Sequence, residues 1–432
     1  MKMTLFRNVR RPSKDASFDA CVDFAARRDP VGHRFHLCLA CLALATMLLS
    51  SSLASISSTL LIGYATLRAP TIWRTWRTLP INPVIFCALG FYVWLVISLS
   101  WSPDPSHGAR LLRGSRYLLL IPALLPMMCH VNVLLWALVI GTLIQFIAQI
   151  TGMTFGSGEN HGGLSKHPGF TAIWCSISLG ALIFTTKTPS RKTLNVIVRS
   201  IASLLVLSSL LITAARSAVA ATILGLIAGS GLFLFRTQKK VSPLVVSIAL
   251  SCVLLAGFAI GSQTRLPGRL HEAYVAISTP YDGGEFHMDQ TRPLWWRIGL
   301  NEWFRNPVQG SGLGSASIVI PENQEVRDIV EQNPANTKAT RDDYHSLYVT
   351  VLADSGLIGA ILLSAWFGLL LQRILASEAL APLLLVGFIT FLGYSFFNTT
   401  IFTGRLVAFM AILMAFCVIK LPPQIRLREM PK

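Results

Sequence analysis

Residues 194–235 read LNVIVRSIASLLVLSSLLITAARSAVAATILGLIAGSGLFLF, 42 positions interrupted by charge only at Arg199 and Arg216. As one α-helix this run would be roughly 63 Å long at 1.5 Å per residue, about twice the hydrocarbon thickness of a bilayer. It must therefore double back, and Arg216 marks the turn. A chain that crosses a membrane and returns within one apolar run is polytopic, and the rest of the sequence agrees.

The chain has 432 residues, of which 53% are hydrophobic and only 13% charged. Its mean hydropathy is +0.57. A soluble core cannot hide that much apolar surface, so the expected fold class is an all-α membrane bundle. Further apolar runs lie near 36–67, 84–100, 117–150, 169–186, 244–262, 346–371, 379–397 and 406–419. The runs 36–67 and 117–150 are each long enough for two short spans or one tilted one, which gives twelve spans if both divide and ten if neither does. Charge does not choose, because Arg68, Arg74 and Arg77 stand on one side of the third span and Arg110, Arg113 and Arg116 on the other. The expected organisation is a cytoplasmic tail at 1–35, spans one to nine over 36–262, an extramembrane segment at 263–344, spans ten to twelve over 345–420 and a cytoplasmic tail at 421–432.

The formal net charge of +17 would suggest nucleic acid in a soluble protein. Under twelve spans with both termini inside, the cytoplasmic side alone carries an excess of 17 positive charges and the other side is neutral. The charge is then topological, and no nucleic-acid partner is expected. None of the eight cysteines falls in the polar segment, so no disulfide framework is implied. The first apolar run lacks a small-residue cleavage site, so the polar N-terminus reads as a cytoplasmic tail followed by a retained helix and not as a signal peptide.

The polar segment ends in DDYHSLYVTVLADSGLIG, residues 342–359. Asp342 or Asp343 can cap the helix that follows, which would put His345 in its first turn, where the helix dipole favours a neutral ring able to accept a proton. A histidine at a water–lipid boundary is equally an ordinary interface residue. Arg216 sits at the outer boundary of its run, where a charge near the bilayer core costs on the order of 3 kcal/mol and usually faces a cavity or a partner, the alternative being an arginine that reaches back to headgroups. Within 292–306, RPLWWRIGLNEWFRN, Pro293 reads as the opening of a helix lying on the membrane surface, with Trp296, Leu300 and Trp303 on one face and Arg297, Asn301 and Arg305 on another. Arg216, Arg297 and His345 share the outer side, which gives two phosphate ligands and one base. Arg110, Arg113 and Arg116 would extend a basic funnel under twelve spans, or anchor the cytoplasmic side under ten. His161, Lys166 and His167 form a polar loop that reads as the start of a helix at Pro168.

Other motifs fall away. The run GSGLG at 310–314 lacks the following Lys-Ser/Thr of a nucleotide phosphate loop and reads as a glycine-rich turn. His161 and His167, six residues apart, lack a zinc spacing, and there is no HExxH motif. Asp354 lies nine residues after His345, half a turn round the same helix, so a direct carboxylate–histidine dyad is not expected there. Gly356 and Gly359 read as close helix packing that holds this helix under the preceding loop.

These residues resemble a family. HSLYVTVLADSGLIGA at 345–360 is similar to the His-x-x-Tyr/Leu, acidic-x-Gly-x-x-Gly signature of the O-antigen ligase and polymerase superfamily. RPLWWRIGLNEWFRNPVQGSGLG at 292–314 resembles its Arg, Trp, Asn-Pro, Gly-x-Gly sequence. LLITAARSAVAA at 210–221 resembles its Ser-Arg helix start, with Ala215 where Ser is common. The resemblance implies a twelve-span, GT-C-like glycosyltransferase of a Gram-negative inner membrane, with no metal and no cofactor. The implied donor is O-antigen on undecaprenyl pyrophosphate, and the implied acceptor is lipid A-core at the periplasmic face. Arg216 and Arg297 would grip the pyrophosphate, and His345 would take the acceptor proton in an inverting displacement. Tyr348 and Asp354 would be supporting residues. A polymerase or protein O-oligosaccharyltransferase would share donor and signature. A transporter would more typically show repeated halves, which this chain lacks.

Overall fold

The computed structural model describes residues 18–77, 79, 82–152, 164–165, 167–185, 192–237, 288–332, 340–377 and 380–418. The apolar run at 244–262, the stretch 263–287, His161 and Lys166 lie outside the described residues. Those described form an all-α bundle with no strand. Five helical stretches are long and apolar enough to cross a membrane, and shorter apolar helices accompany them. Leu60, Phe86, Val93, Ile140, Ile201, Leu224 and Ile361 are exposed along these helices. Such a surface suits lipid and not water, so the chain is a polytopic membrane protein.

The opening run divides as its length requires. Lys192–Ile212 and Arg216–Thr237 are separate helices. The break between them holds Ala214 at a φ of 49°.

Both ambiguous runs also divide. Pro30–Thr46 and Ser51–Leu67 are two helices joined by a short turn whose Ser50 accepts from the Leu53 N–H. They run antiparallel, tied by Thr46 and Ser57 hydroxyls 2.6 Å apart at one end and by Arg68 on Asp29 (3.1 Å) at the other. Residues 113–130 then start beside Ser55, which Arg116 reaches at 3.3 Å, and end where the His130 ring meets His33 at 3.2 Å. At His130 the backbone leaves helical values (φ −103°, ψ 27°), and Val131–Thr151 climbs back along Pro30–Thr46, with Gly141 against the Ala45 carbonyl. The descending pass is built of seven 3₁₀, five α and six 3₁₀ residues. At about 2.0 Å rise per 3₁₀ residue it spans roughly 33 Å, so 18 residues reach as far as a full transmembrane helix.

The first helix begins earlier than its apolar run, at Pro30, with Asp29 accepting from the Gly32 N–H as N-cap. Before it, Phe18–Arg28 is a helix packed on Ala69–Trp76. Across the bundle, interhelical contacts use small and hydroxyl residues: Thr142 with Ser178 (2.8 Å), Ser209 donating to Gln149 (2.7 Å), and Gly225 and Gly229 against Val386 and Pro382. Close backbone approach and shared hydroxyls are how helices associate where water gives no hydrophobic drive.

At one end of the bundle a second, smaller core holds Leu294, Trp295, Ile298, Ala316, Ile320, Val326, Ile329, Tyr344 and Ala353. It is built by Met288–Arg305, Ala316–Glu322 and Gln324–Gln332 on the head of Leu347–Ala376. Pro293 stands inside the Met288–Arg305 helix and does not open it, which corrects the sequence expectation. The face carrying Leu294, Trp295 and Ile298 is the buried one, and Trp296, Leu300 and Trp303 are only half-buried. Burying a large apolar side chain is worth about 3 kcal/mol. The exposed Arg297–Glu325 pair at the edge of this core is worth at most about 1 kcal/mol. Trp295 therefore decides which way this helix faces.

Candidate functional site

Leu347–Ala376 is one helix only in outline. Gly356 interrupts it with φ 64° and ψ −162°, and the backbone groups freed by the break are met by residues 306–315. Ser311 and Gly312 N–H donate to the carbonyls of Ala353 (2.8 Å) and Asp354 (2.9 Å). Leu357 and Ile358 N–H donate to the carbonyls of Pro307 (2.9 Å) and Val308 (3.2 Å). Trp94 Nε1 donates to the Ser355 carbonyl (2.9 Å). These bonds satisfy backbone groups that the break leaves without helical partners, as an interrupted helix requires. A Cβ on Gly310 would lie 2.5 Å from the Asp354 carbonyl carbon, and one on Gly356 would lie 2.3 Å from the Val308 oxygen. The two glycines allow loop and helix to touch backbone to backbone.

Asp354 is the anchor of this joint. It is 1% exposed, and its carboxylate accepts from the Gly314 N–H (3.0 Å) and the Ser315 hydroxyl (2.7 Å). No hydrogen bond or ion pair joins it to His345, whose acidic neighbour is Asp343. Tyr348 donates to the Leu392 carbonyl (3.0 Å), tying the same helix to Ala381–Ser395. On its other side the loop is held by Ser102, whose hydroxyl donates to the Leu313 carbonyl (2.7 Å), and by Ser98, which accepts from the Leu313 N–H (3.2 Å).

His345 precedes the helix and is not in its first turn. Ser346 is the N-cap residue and Leu347 the first helical one, so neither Asp342 nor Asp343 caps this helix. The physical reason is that Asp343 is engaged elsewhere: it accepts from the Thr399 hydroxyl (3.1 Å), and its Oδ1 lies 3.3 Å from His345 Nε2, off line for a hydrogen bond. His345 adopts a φ of 49°. Its ring stacks on Trp295 with centroids 4.9 Å apart at 28°, and both ring nitrogens lack a hydrogen-bond partner. Burial, followed by the charges of Arg341 and Arg292, holds His345 below its usual value near 6.5, against the opposing pull of Asp343 and Asp342. The ring is thus neutral at neutral pH.

Among the described residues only His345 and Ala214 adopt positive φ without being glycine. Each such residue costs about 1–3 kcal/mol and persists where surrounding structure imposes it. One is the candidate base, and the other stands two residues before Arg216. Arg216 opens its helix, half-buried. That helix runs against Ala381–Ser395 with Gly229 at Pro382, Gly225 at Val386 and Ala221 at Gly393. The register carries Arg216 to the level of Phe397. The Arg292 guanidinium lies over the Phe397 ring at 5.9 Å and is near enough to His345 to act on its charge. The structure thus gathers His345, Arg292 and Arg216 at one end.

Arg297 is not brought into this group, because its guanidinium pairs with Glu325 on the exposed side of the helix. Arg292 was missed in the sequence. The available signal was spacing: it stands three residues before Trp295, on the face that the tryptophan buries.

A cavity of about 70 Å³ lies beside His345, lined by Leu111, Gly314, Asp342, Asp343, Asp354 and Thr399 among others. Arg113 and Arg116 rim a separate open groove of about 520 Å³ floored by Leu89, Tyr92, Leu118 and Leu119. Arg110 rests on His107 (3.2 Å). The fold places these three arginines at the His345 end and Arg68 and Arg74 at the His130 end.

Bundle and site together define a polytopic membrane protein with a cationic, histidine-bearing site at one end. Residues 201–364 match the family model for O-antigen ligase, a stretch that contains Arg216, Arg292, the glycine loop, His345 and the helix break. That match supports an O-antigen ligase family domain over those residues, and with it activity of the O-antigen ligase or polymerase type in general. No curated protein matches the chain.

Proposed function

We propose that this protein transfers O-antigen polysaccharide from undecaprenyl pyrophosphate to a hydroxyl of lipid A-core, by an inverting, metal-independent displacement at the periplasmic face of the inner membrane. The setting of His345 carries this reading. It is a half-buried ring whose two nitrogens are buried and unpartnered, stacked on Trp295 and flanked by arginines, inside the family domain.

With Nε2 beside Asp343, Nδ1 is the nitrogen left for the acceptor. It takes the hydroxyl proton as that oxygen bonds to the anomeric carbon and the bond from that carbon to the pyrophosphate oxygen breaks. Asp343 and the Trp295 face stabilise the imidazolium that forms. The leaving pyrophosphate gathers negative charge, which Arg292 and Arg216 hold in place of the Arg216 and Arg297 pair read from sequence. Arg110, Arg113 and Arg116 extend the cationic approach along the lipid-facing groove. Asp354 and Tyr348 hold the scaffold and take no part in the proton transfer.

In a reconstituted assay with lipid-linked glycan and lipid A-core, His345→Ala lowers transfer by about 100- to 10,000-fold, the range for loss of a general base, at unchanged thermal stability. A wild-type rate would remove the base assignment. Offering lipid A-core, a second repeat unit and an acceptor protein side by side tests the acceptor, with lipid A-core expected to be used.

A further inference from the structure

The end of the bundle away from His345 holds a cluster that the transfer reaction does not use. His33 lies in the first turn of Pro30–Thr46, and Cys129 and His130 form the reversal between 113–130 and Val131–Thr151. One ring nitrogen of each histidine and the Cys129 Sγ all lie within 4.8 Å of one another. The two Nε2 atoms are 3.2 Å apart, and the rings are tilted at 56°. His33 is 6% exposed, and Cys129 faces outward.

We propose that His33, Cys129 and His130 bind a metal ion of the zinc class. Tetrahedral zinc, with nitrogen ligands at about 2.05 Å and sulfur at about 2.3 Å, requires ligand atoms roughly 3.4 Å apart between nitrogens and roughly 3.6 Å between nitrogen and sulfur. The two imidazole nitrogens stand at 3.2 Å, close to the first spacing, and binding draws the Cys129 sulfur, already within 4.8 Å of both, to the second. Neighbouring polar groups are committed elsewhere. Asp29 accepts from Arg68 and from the Gly32 N–H, and His36 sits between Arg68 and the Ala123 carbonyl. The fourth position is therefore left to water on the open side, and the donor set of one thiolate and two imidazoles favours a borderline-soft ion over calcium or magnesium.

On binding, the Cys129 thiol gives up its proton as the sulfur–metal bond forms. The ion clips the reversal of the doubled-back pass to the first helix. It acts on the rigidity of the bundle and not on glycosyl transfer.

The test uses the full chain, purified without a histidine tag and stripped with chelator. Titration with Co²⁺ alone produces the visible bands of tetrahedral cobalt and a near-ultraviolet thiolate-to-cobalt band at one equivalent per chain. Cys129→Ser abolishes the thiolate band. His130→Ala weakens binding by more than the roughly 10- to 100-fold that follows loss of a group merely hydrogen-bonded to a ligand. For the unaltered chain, Zn²⁺ alone raises the melting temperature and chelator reverses the rise, a readout that needs no variant to fold. The absence of a Zn²⁺-dependent shift, or cobalt spectra unchanged in Cys129→Ser, would overturn the proposal.

Discussion

His345 is set apart by being denied partners. Most buried histidines are satisfied by a carbonyl or carboxylate, as His36 is by Ala123 and Arg68. His345 has an aromatic face beneath it, a carboxylate off line and two open nitrogens. Its value is held down chiefly by burial, so the folded state favours the neutral ring. Stability contributed by that neutral ring is present above about 6.5 and is lost as pH falls below it. Transfer follows the same sign, with kcat/KM level through neutrality and falling on the acid side with an apparent pKa below 6.5. A fall centred above 6.5 would contradict the setting described. The two arginines of Met288–Arg305 separate cleanly in the same assay. Arg292→Gln costs about 100- to 1,000-fold in kcat, the scale for one group stabilising developing charge. Arg297→Gln changes kcat by less than about threefold and stability by at most about 1 kcal/mol. Equal losses from both would return Arg297 to the site.

At the scale of elements, the broken helix and the loop at 306–315 behave as one part. The helix gives up its own hydrogen bonds over one turn and takes the loop's instead, which fixes the height of His345 above the break and the placement of Met288–Arg305 beside it. The break depends on Gly356, whose backbone lies in a region open essentially to glycine alone. Gly356→Ala adds strain and a contact at 2.3 Å, and the sum is about 3–5 kcal/mol of destabilisation with loss of transfer. Gly63, with open space around its Cβ position inside Ser51–Leu67, is the control: Gly63→Ala is neutral or gains up to about 1 kcal/mol. Thermal unfolding in detergent compares the two, and equal effects would mean that the break carries no special load.

The whole molecule is polarised between two ends. One gathers His345, Arg292, Arg216 and the groove with Arg113 and Arg116. The other gathers Arg68, Asp29, His33 and His130. The proposed orientation puts the first outside and the second in the cytoplasm, in line with the charge asymmetry of the chain. With chelator present and all other cysteines replaced by serine, Cys129 is shielded from an impermeant maleimide in intact spheroplasts and labelled after permeabilisation. In a Val308→Cys variant the new thiol, on an exposed loop position, is labelled in both. Labelling of Cys129 from outside would reverse the orientation and end the periplasmic reading of the site.

Hydropathy by itself determined that the chain is an all-α membrane bundle and that 194–235 turns near Arg216, because lipid forbids unpaired backbone and limits how long one pass can be. The signatures around His345, Arg216 and the glycine loop were legible too, since they are local in sequence. Three matters were decided only by tertiary structure. The division of 36–67 and 117–150 depended on 3₁₀ geometry and on which helices pack together, and a tied charge count carries no such information. Which of Arg292 and Arg297 stands near His345 depended on which face of an amphipathic helix is buried, and Trp295 sets that through contacts with residues 20 to 60 positions away in sequence. The state of His345 depended on Trp295, Asp343, Arg292 and Arg341 together, and a shift caused chiefly by burial has no sign until the burial is known.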